Sequence, residues 1–267
     1  MTGGSDLPLG GLPFGASPSF VDLVRTTRPE AFPAQLSDQA LADLRVPHGT
    51  TILGLRYADG MLMAGDRRAT AGNLIADAKI RKVFAADDYS AIAIAGVAGQ
   101  AEELVKLFQL ELEHYEKITG DRLSLEGKAN RLAQMIRSNF PMAMQGLVVV
   151  PLFGGFDERR GEGRIFYYDA TGGRWEEEDY QTTGSGGQPA KNSLKKRWSP
   201  GLDREQAIRV AVEALIDAAD DDSATGGPDP ARNIWPVIVT VTASGATDVP
   251  DDEVATAVEA VLQERSR

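Results

Sequence analysis

The chain has 267 residues, 42% hydrophobic and 25% charged, with a net charge of −11 and no cysteine. That length makes one large domain or two small ones, either able to bury a core without covalent staples. Without cysteine there is no disulfide framework, thiolate metal site or cysteine nucleophile; two histidines, His48 and His114, are too few for a His-rich metal centre, and an acidic chain without a basic run is poorly suited to nucleic acid.

No stretch approaches the ~18 apolar residues of a membrane span. The N-terminus lacks the positive charge and apolar run of a secretory signal. A cytoplasmic protein without membrane or nucleic-acid partners is expected.

Residues 1–49 hold six prolines (Pro8, Pro13, Pro18, Pro29, Pro33 and Pro47) and are rich in glycine near the start. Such composition resists packing and reads as extended chain. Two short amphipathic segments interrupt it. One carries Phe20, Leu23 and Val24 after Ser19; the other spans Ser37 to Leu44. Each is too short to be stable alone. The leader is a loose tail, or one whose segments dock on a partner.

The pattern changes at His48-Gly49-Thr50-Thr51-Ile52. Residues 51–57 alternate as a strand, Ala58-Asp59-Gly60 reads as a hairpin turn, and Met61 to Arg68 as the returning strand. Residues 80–86 and 90–95 form a second pair, the latter apolar on both faces and so buried on both sides. Ala101, Leu104, Val105, Phe108, Leu112 and Tyr115 recur at helical spacing. A second helix runs from Leu125 to Phe140 and stops at Pro141. Strands follow at 147–155, 163–169 and 174–181, then a short basic helix at 188–197. Asp203 caps a helix through Asp217. A strand at 236–242 and a helix at 251–264 close the chain. Hairpin strands separated by helix pairs predict an α+β fold, antiparallel sheets with helices packed outside.

Individually, the chemically suggestive residues have bland readings. Gly96-Val-Ala-Gly99 and Gly184-Ser-Gly-Gly187 lack the ending of a phosphate-binding loop; they are tight strand-to-helix turns, which also present free N–H groups suited to an oxyanion. Asp66 and Lys82 sit in strand-like segments, where charges usually face solvent. Asp217, Asp220, Asp221 and Asp222 lie where a helix C-terminus disfavours carboxylates. Either that helix stops early and the run is solvated, or some of these acids have another task.

Jointly, these segments carry a resemblance. Thr50-Thr51-Ile52, Ala64-Gly-Asp66-Arg-Arg-Ala-Thr70, Lys79-Ile-Arg-Lys82, Ala95-Gly96-Val-Ala-Gly99, Gly184-Ser185-Gly186 and Asp222-Ser-Ala-Thr225-Gly226 occur in this order. Over residues 48–245 the chain resembles a β-type subunit of the proteasome, of the kind found in archaea and actinobacteria. The resemblance implies a four-layer αββα sandwich, the fold of N-terminal nucleophile hydrolases. It also implies a propeptide at 1–49, removed by self-cleavage at Gly49–Thr50, and a catalytic domain at 50–267.

The resemblance makes Thr50 the nucleophile of a threonine endopeptidase. A free α-amino group, of reference pKa about 7.7–8.0, can take the hydroxyl proton; while Gly49 is attached that nitrogen is an amide and cannot. Gly49, lacking Cβ, permits the bent backbone that self-attack requires. By the same carry-over Lys82 lies beside Thr50 Oγ, Asp66 pairs with Lys82, and Gly96 N–H binds the oxyanion. Ser185, Asp222 and Thr225 orient the amine and a water, with Thr225 standing where the family commonly has serine. Thr70, Gly96 and Ala98 hydrogen-bond the substrate backbone as an added strand. Ala69, Ile80, Ile94 and Ala98 line an apolar, uncharged specificity pocket, implying chymotrypsin-like cleavage with Asp and Arg disfavoured. No metal or organic cofactor is implied. The implied partners are paired homo-heptameric β rings, α-subunit rings, an ATPase ring acting through the α subunits, and unfolded, often tagged, protein substrates.

Three other readings compete. A simpler bacterial two-ring relative also starts Thr-Thr, but has shorter chains and a minimal leader. A catalytically silent ring subunit is opposed by the presence of Thr50, Asp66 and Lys82. A small-molecule amidase of the superfamily is opposed by the full motif set.

Overall fold

The computed structural model describes residues 49–266; the two short segments expected in the leader lie outside the described residues. One five-stranded antiparallel sheet has the order β10-β1-β2-β11-β12, formed by β1 (Thr51–Tyr57), β2 (Gly60–Gly65), β10 (Tyr180–Gly184), β11 (Val237–Thr242) and β12 (Gly245–Asp248). The other runs β5-β6-β7-β8-β9, from β5 (Val83–Asp87), β6 (Ser90–Gly96), β7 (Val149–Asp157), β8 (Glu162–Tyr168) and β9 (Arg174–Glu177). A small hairpin, β3 (Ala69–Ala71) with β4 (Leu74–Asp77), belongs to neither.

Period-two alternation sorts side chains into three apolar layers. Leu53, Leu55, Leu62 and Ala64 face α4 (Gly187–Arg197), α5 (Arg204–Asp221) and α6 (Asp251–Arg265). Their neighbours Ile52, Met61 and Met63 turn the other way, onto Ala91, Ala93 and Ala95 of β6, so bulky residues of one sheet meet small ones of the other. On the far side Ile92, Ile94, Phe153 and Phe166 pack under α1 (Ala98–Thr119) and α2 (Leu125–Ser138). Phe108 meets Phe153 edge-on, with ring centroids 5.6 Å apart. The layers are helix, sheet, sheet, helix: the α+β sandwich that the alternation and the resemblance both implied.

Several boundaries move. The first turn is Ala58-Asp59, because Gly60 already pairs with Tyr57 and Thr242. The returning strand ends at Gly65, three residues before Arg68, since Thr51 N turns from a main-chain acceptor to the Asp66 carboxylate. Lys82 precedes β5 instead of lying within a strand from residue 80. Pro141 does not stop a helix: α2 has ended at Ser138, and Pro141 opens a further short helix, α3 (Phe140–Ala143), where its missing N–H is harmless. The expected strand at 174–181 is two, β9 and β10, in different sheets. Asp203 caps α5 with Gln206 in a reciprocal capping box.

Helix α5 continues to Asp221, so its late acids are not loop. Asp217 meets Arg197 and Arg265, and Asp220 meets Arg265 at 3.0 Å. These cations offset the helix dipole's disfavour for carboxylates.

Arg164 on β8 is 3% exposed and is shared by Asp157, Glu126 and Glu176 at 2.8, 2.8 and 2.5 Å. Its guanidinium holds the Glu176 carboxyl below the usual carboxylate range. Burial pushes Asp157 up, but bonds from Arg164 and two backbone N–H groups outweigh it, so Asp157 is also lowered. The unfolded chain therefore binds more protons, and stability rises with pH through the carboxylate range. Replacing Arg164 by Met is expected to cost about 2–3 kcal/mol at pH 7, under the ~3–5 kcal/mol for fully buried pairs because the acids can rehydrate. The gap between variant and parent should narrow as pH falls from about 6 to below about 4, as measured by denaturant unfolding.

Candidate active site

The site lies where strand ends from both sheets converge. Thr50 immediately precedes β1, Asp66 follows β2, Lys82 precedes β5, Gly96 ends β6, and Ser185 follows β10. Asp222 caps the C-terminus of α5. Thr50, Asp66 and Lys82 are nearly inaccessible, at 4%, 1% and 3% exposure.

Asp66 and Lys82 form an ion pair, Nζ to Oδ1, of 2.6 Å. Oδ1 also accepts from Thr51 N at 2.8 Å, while Oδ2 accepts from Arg68 N at 2.9 Å and Gly226 N at 2.8 Å. Lys82 Nζ further donates to Arg68 O at 2.6 Å and Gly49 O at 3.2 Å. Its three ammonium protons thus have three acceptors. Burial pushes the ammonium toward losing its proton and Asp66 opposes this; the balance lies below the ordinary lysine value.

Thr50 Oγ1 donates to the carbonyl oxygen of its own predecessor, Gly49, at 2.6 Å. A Cβ on residue 49 would meet Thr70 Oγ1 at 2.5 Å and Ala224 O at 2.6 Å. Glycine is required there by space, a different reason from the bent backbone anticipated from the sequence. At Gly96 the requirement is twofold: φ is +121°, and a Cβ would lie 2.1 Å from Val148 O.

A second polar cluster flanks Thr50. Ser185 Oγ donates to Asp222 Oδ2 at 2.6 Å and accepts from Thr50 N at 3.4 Å. Gly186 N donates to Thr51 Oγ1 at 3.0 Å, Thr51 and Thr225 share a 2.5 Å hydroxyl contact, and Thr225 Oγ1 donates to Asp222 at 2.6 Å. An amide can only donate and a carboxylate only accept, so this chain runs one way, from Gly186 through Thr51 and Thr225 to Asp222. Burial raises the Asp222 carboxyl, but bonds from Ser185, Thr225 and Ala224 N, with the charge of Lys82, bring it below its usual value.

Beside Thr50 opens a cavity of about 140 Å³. That is well under the ~300–1,000 Å³ of small-molecule sites, and suits one side chain. Ala69, Ile80, Ile94 and Ala98 all line it, with Gly96 at its wall. The lining is not uncharged, as had been expected: Arg81, Lys82 and Glu102 share it with Phe84 and Ala101. Each charge has a partner, Asp248 for Arg81, Asp66 for Lys82 and Lys106 for Glu102.

The sequence profile of the family described as Proteasome subunit matches residues 46–229. The chain belongs to the proteasome subunit family. It is 54% identical over 260 residues to a protein of Streptomyces griseus subsp. griseus named Proteasome subunit beta, an alignment covering 97% of this chain and 92% of that relative. The β-type resemblance read from the motifs agrees with that relative.

Within this proteasome-family site, sequence reasoning omitted Thr51, the main chain of Arg68 and Gly226, and the cavity residues Arg81, Phe84, Ala101 and Glu102. Thr51 was legible as the second of two threonines, since a strand sends adjacent side chains to opposite faces. Phe84 follows Ile80 and Lys82 at period two, and Ala101 and Glu102 follow Ala98 at i+3 and i+4. The Arg68 and Gly226 contacts are main-chain and leave no side-chain signal.

Thr225 is 1% exposed. Thr225→Val leaves the Thr51 hydroxyl without its acceptor and is expected to lower stability by about 1–3 kcal/mol. Thr225→Ser keeps the hydroxyl and should lose less; equal losses in thermal unfolding would remove the chain's energetic role.

Proposed function

We propose that this chain is a threonine endopeptidase subunit of the proteasome core, made as a precursor that cuts its own Gly49–Thr50 bond. The carrying observation is the 2.6 Å contact from Thr50 Oγ1 to Gly49 O, with Lys82 Nζ 3.2 Å from the same oxygen. In the precursor Thr50 Oγ attacks the Gly49 carbonyl carbon. The hydroxyl proton passes to the oxygen it already bonds, and Lys82 stabilises the tetrahedral centre. The C–N bond then breaks as that same proton moves on to the nitrogen and the carbonyl re-forms, leaving an ester on Thr50. Water hydrolyses that ester, freeing residues 1–49 and a Thr50 amine.

Release of Gly49 removes one of the three acceptors of Lys82. The freed N–H then points its charge at Thr50 Oγ and lowers its proton affinity. The new amine takes the Oγ proton during attack on substrate. It lies beside Ser185, which Asp222 holds in orientation, and Thr225 donates to the same Asp222 oxygen. Gly96 N–H serves the oxyanion, a contribution of roughly 3–4 kcal/mol in comparable sites. Thr70, Gly96 and Ala98 bind the substrate main chain as an added strand.

The cavity's apolar wall of Ala69, Ile80, Ile94 and Ala98 favours cleavage after hydrophobic residues. Arg81, Lys82 and Glu102 at the cavity are each already paired, so neither Arg nor Asp at the cleaved position finds a free partner charge. The assembly we propose is the family's: paired seven-membered β rings between α rings, fed with unfolded, tagged protein by an ATPase ring in the cytoplasm. No described helix is long and apolar enough to cross a membrane.

Intact mass of active particles should show chains beginning at Thr50; chains still beginning at Met1 would refute the terminal-threonine mechanism. Thr50→Ala should give full-length, inactive protein that still assembles, and retained peptidase activity would remove Thr50 from its role. Lys82→Ala should lose both processing and hydrolysis. Peptides with Arg or Asp at the cleaved position should show kcat/KM at least about tenfold below that of the Leu peptide, the scale of ~1–3 kcal/mol for a polar group without a partner; equal values would remove the apolar wall's role in specificity.

A further inference from the structure

Strand β1 starts beside Thr50 and ends at Tyr57, and at that far end lies a cavity of about 550 Å³. The volume is within the ~300–1,000 Å³ of small-molecule sites. Seven residues at ~3.3 Å each place it roughly 20 Å from the nucleophile. Four acids line it, Glu162, Glu176, Glu178 and Asp179, against two cations, Arg56 and Arg160. Glu162 and Glu176 are matched by those arginines and by Arg164. The carboxylates of Glu178 and Asp179 meet no cation among the described residues. It is their main-chain carbonyls that are held, by the Arg56 guanidinium at 3.2 Å and Arg56 N at 2.9 Å.

Two aromatic rings share the wall. Trp198 is fixed by its indole N–H on Arg56 O at 2.9 Å and by Tyr180, ring centroids 5.6 Å apart. Tyr57 is only 6% exposed, and its hydroxyl is buried with no hydrogen-bond partner. Buried hydroxyls nearly always have one, so an unpaired hydroxyl on a residue of a cavity wall points to an occupant. Burial pushes the Tyr57 phenol up, which keeps it a neutral O–H.

We propose that this cavity binds a small organic cation, an alkyl chain bearing a primary ammonium or guanidinium group. Trp198 offers the π face that such a cation seeks. Glu178 and Asp179 supply carboxylates with no other cation, and the Tyr57 oxygen accepts an N–H. Four acids against two arginines disfavour an anion. Among the described residues no three acids or histidines are grouped to hold a metal ion. Free polyamines carry this group, and so do Lys and Arg side chains of a peptide. The site shares no residue with the cavity beside Thr50, so it acts as a binding site and takes no part in peptide hydrolysis.

The test titrates the full-length protein with spermidine and with the blocked peptide acetyl-Ala-Lys-Ala-amide, by calorimetry and by tryptophan fluorescence. Three variants run beside the parent: Tyr57→Phe, Trp198→Phe, and Glu178→Gln combined with Asp179→Asn. We expect saturable binding of at least one probe, at least about tenfold weaker in the paired acid variant and about threefold weaker in Tyr57→Phe. The fluorescence change should vanish in Trp198→Phe. Both acids are exposed, so their neutral replacements keep the fold. Tyr57→Phe deletes a hydroxyl that has no partner, so without ligand it should melt at or above the parent's temperature. Weaker binding with stability kept is a result that a purely structural role for Tyr57 does not give. Tighter binding of spermidine identifies a free amine as the occupant, and tighter binding of the peptide identifies a basic side chain. The proposal is overturned if neither probe binds at millimolar concentration, or if binding is unchanged in the paired acid variant. Magnesium ion binding through Glu178 and Asp179 while neither amine binds also overturns it.

Discussion

A charge pair buried between two sheets, Asp66 with Lys82, is the constraint on which the rest of this structure depends. Taking both ions out of water is costly, and their mutual attraction alone rarely compensates. Here the remaining valences are filled. The carboxylate accepts from Thr51, Arg68, Gly226 and Lys82, and the ammonium has Asp66, Arg68 O and Gly49 O. Those partners come from the start of β1, the turn after β2, the segment before β5 and the loop after α5. Satisfying one pair therefore locates four chain segments, three from the first strands and one, at Gly226, 160 residues from Asp66.

The sandwich supplies the frame for that arrangement. Its three apolar layers hold the strands, while the strand ends, where ladder pairing stops, have free main-chain groups to give to side chains. Asp66 is useful because β2 stops at Gly65, and Lys82 because β5 starts one residue later. The same logic applies to α5. Its acids look misplaced by helix electrostatics until Arg197 and Arg265 are seen against Asp217. Asp222, one residue beyond the helix, is then free to turn toward Ser185 and Thr225.

Much of this was legible in the residues. Alternation in 51–57 and the continuous apolar run of 90–95 identify strands, helical spacing identifies α1 and α5, and Asp203 marks a helix start. Glycine at 96 implies a tight turn. What escaped did so for physical reasons. The β3–β4 hairpin is exposed and carries no core-facing alternation. Residues 174–181 form one apolar-polar run, but a two-residue break sends its halves to opposite sheets, and that depends on tertiary pairing. Glu102 looks like an ordinary solvent-facing helix residue; only the helix's placement brings it to the cavity by Thr50. The bonds of Arg68 and Gly226 to the ion pair are main-chain contacts, invisible to side-chain reasoning.

Thr51 has one more consequence. Chain ends ordinarily fray, because their last residues have few partners. A terminus created at Thr50 would instead begin inside a sheet. Thr51 pairs with Gly184, its N–H is held by Asp66, its carbonyl receives Asp66 N at 3.1 Å, and its hydroxyl is gripped from two sides. The reactive residue would be at the very end of a polymer and yet one bond from one of its stiffest points. Thr51, which does no chemistry, is what would let a loose end act as a fixed tool.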